Sequence, residues 1–360
     1  MATNTYSKAN FLQLLGLFSS GVLGQNLNKP VLFTDGLSPH VDSVFFQHLT
    51  PTQSTWDQWG WGWIPQACLS VVQGTQFSPY DIEVYNVHYT DCASAVVMCR
   101  HNQAQMSIIN MIDAFGRVPI HDRQWTQHIL ALPASSCSAG TGGAVTTFYG
   151  PCYIPSVFVH ELTHTLDAYV NDQTGSTGSV HVYSTTSSYL NSVNQDSCVP
   201  DGYANTSPQE DYAQTSVLAL YEKVNPGGLD PIGNWRCLVN AKNNLDSIIG
   251  QELTPGGSCT HRWADSAIVC MGPAAGCASS KRGFSTRRGA RVAGPKPEPA
   301  NKKGDPLVSN LTPDLASVAN AKIDDFSHLV SNHTASIEAT IRINAWNKAA
   351  GKATVPVPKA

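Results

Sequence analysis

SVFVHELTHTLDAYV, residues 156–170, governs the reading of the whole chain. Phe158, Leu162, Leu166 and Tyr169 recur at helical spacing, which predicts an amphipathic helix over this stretch. On a helix His160 and His164 lie one turn apart on one side, so both imidazoles reach a single metal ion, while Glu161 stands beside them where a water on that metal would sit. Zinc suits two imidazoles and a carboxylate, and one ion per chain is expected. Asp167, seven residues after His160 on the same face, suits an outer carboxylate that orients a ligand imidazole.

The third ligand is not settled by spacing. A metzincin pattern would need a histidine six residues after His164, and Val170 stands there instead, so that class is excluded. Asp172, Asp196, Asp201, Glu210 and Asp211 are the downstream candidates. Glu210 falls in the first turn of a second predicted helix, Pro208–Val224, which carries Ala213, Val217, Leu220 and Tyr221 and is stopped by Asn225-Pro-Gly-Gly228. Ser207-Pro-Gln-Glu210 is also a capping-box sequence, in which Glu210 would simply bond the backbone of Ser207.

Around these two helices the chain divides unevenly. Its 360 residues are 42% hydrophobic and 13% charged, enough for a sizeable core and far from a wholly disordered chain. Up to residue 279 there are 9 basic against 20 acidic residues, and beyond it 13 against 6. The acidic body argues against nucleic-acid binding, which needs a basic face. An apolar run from Phe11 to Leu23, ending in small residues near Gly24-Gln25, has the outline of a secretory signal over residues 1–24, and no other stretch has the length for a membrane span. All ten cysteines lie between that signal and residue 279 with no CxxC pair, so five disulfides and a secreted, extracellular protein without stable membrane insertion are expected. Cys92 and Cys99 are close enough to close a small loop. Asn205, Asn310 and Asn332 begin glycosylation sequons.

The expected organisation is a signal at 1–24, one disulfide-rich α+β domain at 25–279, a basic Pro-rich linker at 280–306 and a weakly structured extension at 307–360. Ile82 to Tyr89 alternates as a strand, Gln103 to Phe115 is helically spaced, Ala144 to Tyr149 reads as a short strand, and Ser138-Ala-Gly-Thr-Gly-Gly143 reads as a loop. Trp56, Trp59, Trp61 and Trp63 cluster between polar residues and glycine; packing of a small β-unit is the simpler reading, and sugar binding the alternative.

His160-Glu-Leu-Thr-His164-Thr-Leu-Asp167, followed by Tyr203 and Glu210-Asp-Tyr-Ala-Gln214, resembles the catalytic-domain pattern of anthrax lethal factor and related gluzincins over roughly residues 150 to 225. The signal outline, the ten cysteines and the HELTHTLD helix also resemble a group of fungal secreted conidiation-specific proteins. The gluzincin resemblance implies a zincin-like fold with a twisted sheet on the HExxH helix, zinc on His160, His164 and Glu210, Glu161 as general base, Tyr203 as oxyanion donor, and a secreted endopeptidase acting on protein or peptide substrates. Gln214 stands where the toxin has a glutamate. Alternatives are a deuterolysin-like enzyme using Asp201, and a non-catalytic secreted or cell-wall protein that binds zinc or, through its tryptophans, carbohydrate.

Overall fold

The computed structural model describes residues 26–142, 145–169, 182–277 and 293–298. The signal, Asp172, the sequons at Asn310 and Asn332, and the extension lie outside them. In chain order the regular elements are β1 (Val31–Phe33), α1 (Ser38–His48), β2 (Ser54–Gln58), β3 (Trp63–Pro65), α2 (Gln66–Gln73), β4 (Ile82–Tyr89), β5 (Val96–His101), α3 (Ile108–Arg117) and α4 (Ile120–Arg123). They continue with β6 (His128–Leu132), β7 (Ser138–Gly142), β8 (Val145–Tyr149), α5 (Pro155–Tyr169), α6 (Ser187–Gln195), β9 (Val199–Asp201), α7 (Pro208–Val224), α8 (Val239–Ile249) and β10 (Ile268–Cys270). The architecture is mixed α+β and disulfide-rich.

The main sheet has the order β2-β4-β5-β6-β8-β7. Its centre is parallel, β5 to β6 to β8, and its flanks are antiparallel. Helices and strands cover both faces, so β5 and β6 are buried along their whole length, as strands with no solvent side must be. Alternate side chains of these strands enter two separate cores. Met98, Ile129 and Ala131 pack under α1, α3, α5 and α7. Val97, Cys99, Leu130 and Leu132 pack with Trp59, Ile64 and Leu69 on the opposite face. A third cluster joins Leu166 of α5 to Tyr189 of α6, Tyr212 of α7 and Leu245 of α8.

The predicted strand at Ile82–Tyr89 and the helix at Pro208–Val224 stand as read. The helical stretch after Gln103 begins later, at Ile108, where Ser107 and Asn110 close a capping box. The glycine-rich segment from Ser138, read as a loop, is the edge strand β7, antiparallel to β8. Its Gly and Thr residues carry no apolar alternation because an exposed edge buries almost nothing.

Five disulfides join Cys68–Cys99, Cys92–Cys259, Cys137–Cys152, Cys198–Cys237 and Cys270–Cys277, leaving no free cysteine. The small Cys92–Cys99 loop does not form. Cys99 on β5 points into the core beneath α2, where Cys68 lies, whereas Cys92 in the β4–β5 turn meets Cys259. No helix among the described residues is long and apolar enough to cross a membrane. Residues 293–298, within the segment read as linker, lie on the body: Gly294 accepts from Trp63 Nε1 at 2.8 Å and donates to Trp61 O at 3.0 Å.

Candidate metal centre

Helix α5 buries Phe158, Val159, Leu162 and Leu166 and so turns His160 and His164 towards α7. The two helices approach closely because small polar residues line their contact. Thr163 Oγ1 lies 2.7 Å from Ser216 Oγ; one hydroxyl donates to the other, and the accepting one donates within its own helix, to Val159 O or Ala213 O. At the start of α7, Ser207 Oγ accepts from the Glu210 backbone N–H at 3.2 Å, with Pro208 in the first turn. Only that half of the capping box is seen, since the Glu210 side chain reaches the histidines.

Glu210 Oε2 lies 3.0 Å from His160 Nε2 and 3.3 Å from His164 Nε2, and the two Nε2 atoms are 3.1 Å apart. Zinc bonds of about 2.0–2.1 Å at tetrahedral angles separate their ligand atoms by roughly 3.3 Å. The triangle therefore has the edge length and the donor chemistry of a zinc site.

A hydrogen-bond chain fixes which nitrogen of His160 faces this triangle. Gln214 Nε2 donates to Asp201 Oδ2 at 2.7 Å, which orients the amide because a carboxylate only accepts. Gln214 Oε1 then accepts from His160 Nδ1–H at 3.1 Å, and Nε2 is left with its lone pair towards His164 and Glu210. Asp201 is buried and fully engaged. Its Oδ2 also accepts from Leu37 N, and its Oδ1 accepts from Tyr203 N and Ala204 N. Parallel pairing of β1 with β9 brings these partners together across 164 residues of sequence.

The other expected site residues lie as follows. Glu161 is buried, and Thr141 of β7 donates to its Oε2 at 3.0 Å and to its backbone oxygen at 2.8 Å. The Asp167 carboxylate accepts from Ser184 N at 2.9 Å and Ser184 Oγ at 2.6 Å. Burial raises its pKa to about 6, against the pull of those bonds and of the neighbouring His164 charge. Tyr203 is half exposed and its ring centroid lies 5.4 Å from that of His160. Its hydroxyl is pushed up to about 12 by burial and by the charges of Glu210 and Glu161. Burial alone would raise Glu210, but hydrogen bonding and charge from the two histidines hold its carboxyl well below the usual range. Burial likewise acts to lower His164, and Glu210, Glu161 and Asp167 together raise it. His160, Glu161 and Tyr203 line a cleft of about 320 Å³. Of the other acidic candidates, Asp196 accepts from Asn240 N and Ala241 N, and Asp211 from Tyr189 Oη.

Fold and site thus define a disulfide-rich α+β protein with a two-histidine, one-glutamate cluster of metal-ligand type. The family model described as conidiation-specific protein Con-13 matches residues 34–314. Conidiation-specific protein 13 of Neurospora crassa is 34% identical over 281 residues, covering 74% of this chain and 78% of that protein. The chain belongs to the conidiation-specific Con-13 family. No solved structure matches.

That membership corrects the enzymatic expectation. The matches name a conidiation-specific family and no peptidase family, and the reading as an endopeptidase or other hydrolase is withdrawn. With it go the roles of Glu161 as general base and Tyr203 as oxyanion donor. The deuterolysin-like alternative goes too, and Asp201, bonded to Leu37, Tyr203, Ala204 and Gln214, stands behind His160 through Gln214. The physical reason is that an HExxH helix specifies where two ligands stand, and ligand geometry alone does not specify a reaction.

Proposed function

We propose that this chain is a secreted, non-catalytic zinc-binding member of the Con-13 family, holding one Zn2+ on His160, His164 and Glu210. In this reading the HExxH helix beneath the mixed sheet is a zincin-like scaffold used for metal binding. The observation that carries the proposal is the ligand triangle of 3.0, 3.1 and 3.3 Å, with the lone pair of His160 aimed into it through Gln214 and Asp201.

Bound zinc would supply a fixed positive charge and a tether between α5 and α7, with one coordination position not filled by protein. The chain's own residues do the rest. Glu210 would enter as a carboxylate, the form in which a glutamate ligates a metal. Gln214 holds the His160 ring in the ligating tautomer. The close Thr163–Ser216 contact keeps the two helices at the spacing the three ligands need. Five disulfides support the extracellular assignment, since such bonds persist in oxidising compartments.

Metal analysis of the purified chain tests the proposal. The expected result is close to one zinc per chain, lost in both His160→Ala and Glu210→Ala, with a chelator lowering the melting temperature of the parent and leaving those variants unchanged. Zinc retained in both variants, or no zinc taken up by the folded parent, refutes it.

A further inference from the structure

On the far side of the sheet from the metal cluster, the four-tryptophan segment makes a second cleft, of about 260 Å³. Its wall belongs to the core beneath β4 and β5, with Trp59 buried and Trp61, Trp63 and Tyr80 packed half-exposed around it. The indole N–H groups are satisfied by the protein. Trp59 donates to Asn86 Oδ1 at 2.7 Å, Trp61 to Tyr80 O at 2.9 Å and Trp63 to Gly294 O at 2.8 Å. Each ring is therefore pinned by its edge; Trp59 is buried, the Lys296 ammonium lies 5.8 Å over the Trp63 ring, and the accessible lining of the cleft is more polar than apolar.

Beside these rings stand four hydrogen-bonding side chains: Gln58, Asp81, Glu83 and Asn102. Glu83 is held in place by Arg100 at 2.8 Å and Tyr85 at 3.1 Å, both on Oε2. Arg100, almost wholly buried, is itself fixed on Met106 O and Ala104 O. Asp81 is exposed at the rim, and its Oδ1 accepts weakly from Asn102 Nδ2 at 3.4 Å. Asn102 Oδ1 is buried with no hydrogen-bond partner among the described residues. An acceptor left in that state costs about 1–3 kcal/mol unless a ligand or water donates to it.

A mostly polar cleft of carboxylates and amides beside pinned tryptophans matches a ligand with a small apolar face and many hydroxyls. The two carboxylates disfavour phosphates and other anions. A simple organic cation would use the aromatic faces but would leave the amides of Gln58 and Asn102 without a role, and Arg100 already neutralises Glu83. The volume lies just under the roughly 300 Å³ of small-molecule pockets, the size for one or two rings. We infer that this cleft binds a neutral carbohydrate, resting a sugar ring against the partly exposed Trp61 and taking its hydroxyls on Asp81, Glu83 and Asn102. The cleft shares no residue with the metal cluster, so this inference stands apart from the zinc proposal.

Isothermal titration of the full chain with chitotetraose, laminaritetraose and cellotetraose tests it, with tryptophan fluorescence as a second readout. Saturable binding of at least one glycan at roughly millimolar Kd or tighter is expected, weakened about tenfold or more in Trp61→Ala and in Asp81→Ala. Asp81 sits at the exposed rim, so Asp81→Ala decides the matter even where Trp61→Ala perturbs folding, and unchanged zinc content in Asp81→Ala separates the two sites. Absence of saturable binding for all three glycans overturns the inference. So does full affinity in a folded Asp81→Ala variant, or binding of tetramethylammonium in place of the glycans.

Discussion

Replacing Gln214 by Leu removes the side chain that joins Asp201 to His160 and leaves His160, His164 and Glu210 unaltered in sequence. In the parent, Oε1 of Gln214 holds the Nδ1–H of His160 at 3.1 Å and Nε2 is anchored on Asp201 at 2.7 Å. Leucine keeps the volume and the helix propensity but supplies neither an acceptor nor a donor. The imidazole is then free to turn or to carry its proton on Nε2, the atom that must ligate. Loss of such an outer hydrogen bond typically weakens metal binding about 10–100-fold, which is roughly 1.4–2.7 kcal/mol. With free zinc in large excess, the zinc-dependent part of the stability falls by the same amount, or about 3–10 °C of melting temperature for a domain of this size. The assay is the difference in melting temperature between zinc and chelator, alongside competition titration with a chromogenic chelator. A general loss of stability moves both melting curves and leaves their difference intact, so the difference isolates the ligand effect. Gln214→Glu supplies a contrast. It restores an acceptor for His160 but sets a second carboxylate against Asp201, so it is expected to lower stability in chelator while retaining more zinc affinity than the leucine variant. A folded Gln214→Leu protein with zinc affinity within about twofold of the parent refutes the reasoning, because the outer hydrogen bond would then contribute almost nothing to ligation at this site.

Three further outcomes follow from particular contacts. Asp42 is buried and accepts from Ser156 N and Ser156 Oγ at the start of α5, and burial, only partly opposed by bonds from Ser156 and Ser38, raises its pKa to about 6. The folded chain therefore holds this proton more tightly than the unfolded one, so the contribution is full below about pH 4, declines as pH rises to about 6 and then levels, a span of order 3 kcal/mol. Urea unfolding across that range should show a shallower decline in Asp42→Asn, and equal slopes would contradict the assignment. The Cys92–Cys259 bridge closes a separation of 167 residues against 7 for Cys270–Cys277, so replacing each pair by serines should cost about 5 kcal/mol in the first case and about 2 in the second on loop-closure grounds; a reversed order in equilibrium unfolding would argue against that account. Asn205 Nδ2 donates to Lys29 O at 2.8 Å while its Oδ1 accepts from Lys29 N, so the amide that a glycan would need is engaged. Glycopeptide mapping should find this sequon bare, and full occupancy in the folded protein would show that the contact does not form.

What was legible in the sequence follows the range of the interactions concerned. The α5 and α7 helices were read to within a residue or two because period 3.6 and the proline and Asn-Pro-Gly stops are local signals. Edge strand β7 was missed because an exposed strand of Ser, Ala, Gly and Thr has no apolar alternation, and only its pairing with β8 makes it a strand. Residues 293–298 read as linker from composition alone, yet Gly294 bonds Trp61 and Trp63, which lie more than 200 residues earlier in the chain. Disulfide partners were equally out of reach. Proximity in sequence favoured Cys92 with Cys99, whereas the strand pleat turns Cys99 inward beneath α2 and leaves Cys92 in the turn.

The site itself shows where motif reading stops. His160 and His164 were recoverable from one helix, and Glu210 was a candidate on spacing that the gluzincin resemblance singled out. Gln214 carries a signal too: it lies four residues after Glu210, hence on the same face of α7. Asp201 was read as a candidate ligand, among the downstream acids and in the deuterolysin-like alternative, and not as the partner of Gln214, since that part depends on β1 and β9 meeting in parallel. The inference to a peptidase failed at a different level. Two histidines, a glutamate and an intervening Glu161 describe a geometry that could hold a metal, and that geometry alone does not specify a reaction. In this chain the Glu161 side chain is tied to β7 through Thr141, and Asp201 binds the loop and helix around Leu37, Tyr203 and Gln214 into one network. A metal placed there would be joined to the sheet edge, to α1 and to α7 at once, so its removal should loosen all three. Hydrogen exchange that rises in chelator at Leu37, Thr141 and Ala213 together would display that coupling, whereas a rise confined to α7 would limit the metal to a local clasp.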